Sequence, residues 1–112
     1  MTAAGPALIW CPFASEDEAA SVAGALLDER LVACANILAP MRSLFVLDGR
    51  RHEAREVGAL FKTEGALLEQ ACTRLAQLHS YDTPAVIGWH ADAAPAATRG
   101  WLARLLETEH SA

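Results

Sequence analysis

An α+β fold with a four-stranded antiparallel sheet and both main helices on one face is what this sequence predicts, and three observations predict it. Apolar runs and helical stripes alternate in the order strand, helix, strand, strand, helix, strand, with one further helix at the end. The two middle strands are long and meet at Asp48-Gly49, a pair suited to the positive φ angles of a tight type I′ turn. The chain has 112 residues, the length of one domain spanning 1–112, with about two thirds of its surface buried on folding. That order is the split β-α-β pattern of the ferredoxin-like class.

The first strand is the apolar run Ala7 to Cys11, ended by Pro12. Ser15-Glu16-Asp17-Glu18 then reads as a capping box, with Ser15 at the N-cap and three acids at the positive end of the helix dipole. Ala19, Val22, Ala23, Leu26 and Leu27 form the buried stripe of that helix, which is expected to run to about Arg30. The hairpin follows, over residues 30–63. Its first arm, Leu31 to Leu47, would span roughly 55 Å if fully extended, against a radius of gyration of about 13 Å for a compact domain of this size. The arm must therefore overhang the domain, bend at Pro40, or both.

On the return arm Val57, Ala59 and Phe61 alternate with Gly58, Leu60 and Lys62. Glu64-Gly65 precedes the second helix, where Leu68, Ala71, Cys72, Leu75 and Leu78 share a face. Ser80 to Pro84 is a loop, and Ala85 to Trp89 a short fourth strand. Ala93-Ala94-Pro95 opens the last helix, with Trp101, Leu102, Leu105 and Leu106 as its stripe and a polar, frayed tail from Glu107. Both helices cover one face of the sheet. Leu44, Val46, Val57 and Leu60 need cover on the other, which a second copy of the chain supplies most simply.

The formal charge of −5 argues against general binding of nucleic acid or anionic membrane, since both need a basic face. Arg50, Arg51 and Arg55 at the hairpin tip read as a solvated turn. Cys11, Cys34 and Cys72 are odd in number and far apart, as expected of reduced thiols in a cytoplasmic protein. No apolar run is long enough to span a bilayer.

No tight metal motif, phosphate loop or nucleophile elbow is present. The candidate groups are therefore scattered. Cys11 closes the first strand beside a helix start, where a thiol is either accessible and acidic or simply core. Cys34, inside a strand, reads as a small core side chain or as a residue lining a cleft, and Cys72 as packing. His79, Tyr81 and Asp82 make a compact polar set after the second helix. Asn36 needs a hydrogen-bond partner if buried, and Lys62 a carboxylate, solvent or a subunit cleft. His52 and Glu53 read as exposed turn residues, and Trp10, Trp89 and Trp101 as core or interface. Without an activated nucleophile or paired carboxylates, the chain does not read as an enzyme. A small enzyme using His79 and Tyr81 is the weakest alternative.

Glu29 to Ile37, ERLVACANI, resembles the E-[KR]-L-[AV]-A-C-[VA]-N-[IV] stretch of the CutA family of divalent-cation tolerance proteins. Ser43-Leu44-Phe45, Asp48-Gly49, Glu56-Val57, Lys62-Thr63 and His79 to Pro84 fall at the spacing of further landmarks of that family. The resemblance runs from about Leu8 to Leu106. It implies a homotrimer joined through the 30–63 hairpin that binds copper or another divalent metal weakly at inter-subunit clefts. Cys11 and His79 are the implied ligands, with Lys62, Tyr81, Asp82, Cys34 and Asn36 lining the cleft. It also implies a likeness to the nitrogen-regulatory signalling trimers. From that likeness comes a second reading, a trimer that binds a small anionic metabolite through Lys62 and the tip arginines and answers to a signalling partner. Three positions depart from the pattern: Ala85 replaces an acid, Leu47 a tryptophan and Ser80 a proline.

Overall fold

The computed structural model describes residues 5–107. Strand β1 (Pro6–Phe13), helix α1 (Glu16–Asp28), strands β2 (Cys34–Leu47) and β3 (Arg50–Glu64), helix α2 (Leu68–Leu78), strand β4 (Ile87–His90) and helix α3 (Ala96–Ala103) follow in that order. The sheet is antiparallel in the order β2-β3-β1-β4, the ferredoxin-like arrangement the pattern predicts.

Period-two alternation places the core. Ala7, Ile9, Cys11 and Phe13 of β1 and Val57, Ala59 and Phe61 of β3 are buried beneath Ala19, Val22, Ala23 and Leu26 of α1 and Leu68, Ala71 and Leu75 of α2. Val57 is thus core, and does not wait for a partner's cover.

Ser15 caps α1 as expected: its Oγ accepts the Glu18 N–H at 3.1 Å. The helix stops at Asp28, two residues before the expected end. Arg30 turns into the left-handed region (φ 60°) while its N–H donates to Leu27 O and that of Leu31 to Leu26 O. That double closure is a Schellman ending, built here without the usual glycine. It aims the chain into β2 and lets Thr63 Oγ1 donate to Leu31 O at 2.7 Å.

The hairpin turns at Asp48 (φ 54°) and Gly49 (φ 73°), between the paired residues Leu47 and Arg50. Its register shifts between Ile37 and Pro40, so the long arm bends there and overhangs as well. The molecule measures 49 × 30 × 25 Å and its radius of gyration is 15.0 Å.

Three further elements differ from expectation. Strand β1 runs on through Pro12 to Phe13, because β4 reaches along it only as far as Trp10 and leaves that edge open. Strand β4 starts at Ile87, not Ala85, since the chain is still turning where the Val86 N–H donates to Pro84 O. In the last helix only Leu102 of the expected stripe is buried; Leu105 is half-buried, and Trp101 and Leu106 face outward. The frayed tail expected after Glu107 lies outside the described residues. No helix among the described residues is long and apolar enough to cross a membrane, which leaves strands aside.

Candidate functional site

The end of β1 delivers Cys11, Pro12 and Phe13 to the start of α1 and to the loop that leaves α2. His79 caps α2 in an extended conformation, and its N–H closes the helix on Leu75 O. That backbone turn drives the imidazole inward, where it stacks on Phe13 at 4.5 Å and lies against the tilted Tyr81 ring at 4.6 Å.

Both imidazole nitrogens are engaged. Nδ1 accepts the Tyr81 N–H at 3.1 Å, so Nε2 carries the proton and donates to Pro12 O at 2.8 Å. Cys11 Sγ donates to the same carbonyl at 3.5 Å. The two candidate ligands thus meet at one oxygen, each as a donor.

Acids surround them. Glu18 accepts the Ser80 N–H at 2.8 Å and lies 3.8 Å from His79 Nδ1. Tyr81 Oη donates to the buried Glu56 at 2.9 Å. Burial pushes the Glu18 carboxyl up, but hydrogen bonds from Ser80 and from the Ala14 backbone outweigh it, and the net shift is downward. Burial, reinforced by Glu18 and Glu56, pushes the Cys11 thiol up to about 12. Burial and then the Glu56 hydrogen bond push the Tyr81 phenol up to about 12 as well.

The accessible, acidic thiol allowed for at Cys11 is therefore not what the fold builds: Cys11 is fully buried and stays protonated. A divalent cation needs a thiolate and a free imidazole lone pair. Here it would have to displace a proton from Cys11 and a hydrogen bond from His79. No group of three or more His, Cys, Asp or Glu side chains among the described residues is arranged to hold a metal. As arranged within one subunit, the pair does not fit a metal centre.

The other predicted residues separate into two places. Tyr81 belongs to the His79 cluster, while Asp82 is exposed and takes no part in its bonds. Cys34, Asn36 and Lys62 lie on the sheet face opposite α1 and α2. Lys62 Nζ donates to Asn36 Oδ1 at 2.9 Å, and Cys34 Sγ lies 3.7 Å from the same oxygen. Cys34 is half-buried on that face and is no core side chain. Cys72 packs partly buried under Gly88, where an added Cβ would meet its Sγ at 2.9 Å. His52 stacks on Phe45 and bonds Leu47 O, while Glu53 pairs with Arg42, so both are strand residues of β3 near the hairpin tip and not part of the turn as read.

Sequence reasoning missed Glu18 and Glu56 as parts of the cluster. Glu18 looked like a helix-start acid. Glu56 sat in a landmark with nothing to show that it would be buried beside Tyr81.

Residues 7–104 match the family model described as the CutA1 divalent ion tolerance protein. The divalent-cation tolerance protein CutA of Pyrococcus horikoshii is 40% identical over 80 residues, 71% of this chain and 78% of that protein. The Thermococcus kodakarensis protein of the same name is 29% identical over 99 residues, 88% of this chain and 94% of that one. Among solved structures, the divalent ion tolerance protein CutA1 of Ehrlichia chaffeensis superposes with a TM-score of 0.86 at 26% identity, covering 94% of this chain and 98% of that one. One from Archaeoglobus fulgidus, described as a periplasmic divalent cation tolerance protein, gives 0.85 at 26% identity, covering 91% and 99%. With a family model matched along nearly all of the described residues and the fold shared end to end, the chain belongs to the CutA1 family of divalent ion tolerance proteins.

Proposed function

We propose that this chain works as a homotrimer joined by its β2–β3 hairpins, and that it is a binding protein without a catalytic step. One observation carries the reading: the arms overhang the domain with their apolar side chains uncovered. Val46 is 75% exposed, Leu44 56% and Leu47 53%. Full burial of such side chains is worth about 1.5–3 kcal/mol each. A long edge strand of this kind adds readily to a neighbouring sheet.

The cation belongs to this reading through the names of the relatives, which speak of divalent-cation tolerance. Copper is the leading ion for the cleft, and Cys11 and His79 could take it up only by giving up the thiol proton and the hydrogen bonds that close them. Binding there is weak, because it competes with a thiol proton and with the Pro12 and Tyr81 hydrogen bonds. The free thiols of Cys11, Cys34 and Cys72 support a reducing, cytoplasmic setting. A signalling partner would read the cleft from outside.

Light scattering and a copper titration on two samples test the reading together. Wild type is expected at three times the protomer mass, and a Leu44→Asp, Val46→Asp variant as a folded monomer with weakened copper binding. A monomeric wild type would sink the assembly. Equal copper affinity in trimer and monomer would remove the cleft.

A further inference from the structure

One polar cluster outside the Cys11–His79 pole is left with donors to spare. Strand register puts Leu8, Lys62 and Cys34 in one row across β1, β3 and β2, and Trp10, Leu60 and Asn36 in the next. Lys62 is the chain's only lysine. It bonds Asn36 Oδ1 at 2.9 Å, and Cys34 Sγ lies on the same oxygen at 3.7 Å.

An ammonium has only hydrogens to offer, so the amide oxygen must face it and the Asn36 NH₂ must face away. Among the described residues no acceptor meets that NH₂ or the rest of the ammonium, and no carboxylate pairs with Lys62. What remains is a positive charge and several uncommitted N–H groups, bordered in register by Leu8 and Leu60. Such a set complements an oxyanion, since charge-assisted hydrogen bonds from two donor groups converge on one acceptor group. It does not complement a cation.

We infer that Lys62 and Asn36 bind a small oxyanion, a carboxylate or a phosphate, carried by a molecule whose apolar body lies along Leu8 and Leu60. The inference deepens the cleft reading and rests on it in one respect. Cover by a neighbouring copy would bury Lys62, and a buried ammonium needs an anionic partner. The tip arginines stand on the far end of the hairpin, away from this row, and Arg42 is already paired with Glu53 at 2.6 Å.

Calorimetric titration of the full chain with sodium phosphate and with sodium benzoate, against sodium chloride at equal ionic strength, tests the site and separates the two oxyanions. Saturable binding of at least one is expected in wild type. It should be at least tenfold weaker in Lys62→Met and largely restored in Lys62→Arg. No saturable binding of either anion, or equal affinity in Lys62→Met, overturns the site. Light scattering on the same samples keeps the two readings apart. A trimer that binds neither anion overturns this site alone, and a monomer that binds one overturns the assembly alone.

Discussion

The two faces of the sheet treat their polar groups in opposite ways. On the helix side, at the end of β1, His79 spends both ring nitrogens on Pro12 and Tyr81, Tyr81 bonds Glu56, and Glu18 holds Ser80. No buried side-chain nitrogen or oxygen among the described residues lacks a partner. On the face opposite α1 and α2, Lys62 and Asn36 satisfy each other once and then stop. Residue type alone points to the first place, because cysteine and histidine are soft ligands. Hydrogen-bonding capacity left over points to the second. A closed network stabilises, whereas an open one is available to bind.

The sharpest way to break this comparison is at its most closed point. In His79→Ala the stacking on Phe13 is lost, a buried void opens, and Pro12 O and the Tyr81 N–H are left without the ring. Loss of a large buried ring costs about 3–5 kcal/mol. Urea unfolding at fixed protomer concentration is expected to show a loss in that range. A loss below about 1 kcal/mol would mean that His79 is free enough to serve as a ligand, and the contrast between the faces would fail.

A second test uses pH. The Cys11 thiol is raised from 9.0 to about 12 and the Tyr81 phenol from 10.0 to about 12. Above pH 9 the unfolded chain releases these protons while the folded chain keeps them, so the native state binds more protons and stability falls as pH rises. Their contribution is complete below about pH 8.5 and is lost between pH 9 and about 12. One proton corresponds to a slope of about 1.4 kcal/mol per pH unit. Urea midpoints measured from pH 8 to 11 are expected to fall, and to fall less steeply in Cys11→Ala. Parallel curves would show that the thiol is not held protonated by the fold.

The same contrast explains what could be read in advance. Alternation in β1 and β3, the Ser15 cap and the Asp48-Gly49 turn are local signals, and each element they mark is present. The end of β1 went on past Pro12, because whether a proline stops a strand depends on a neighbour four residues long that sequence does not locate. Cys11 and His79 were found as a pair, but not the shared carbonyl that closes them. That closure depends on the inward turn of His79 and on two acids from distant segments. Lys62 and Asn36 were each noted as needing a partner. Only the register, Cys34 opposite Lys62 and Asn36 opposite Leu60, showed that they are each other's.

The smallest expected effect probes the open face. At Gly58 an added Cβ would come within 2.2 Å of the Trp10 ring, which lies across it. In a sealed core that overlap would force backbone shifts costing 1–3 kcal/mol. Trp10 is only half-buried and has room to swing away from the sheet. Gly58→Ala is therefore expected to lower subunit stability by about 1 kcal/mol, near the bottom of the overpacking range, and to leave the His79 cluster intact. A cost near 3 kcal/mol in urea unfolding would show that this face is packed as tightly as the other, and the difference between them would be one of composition only.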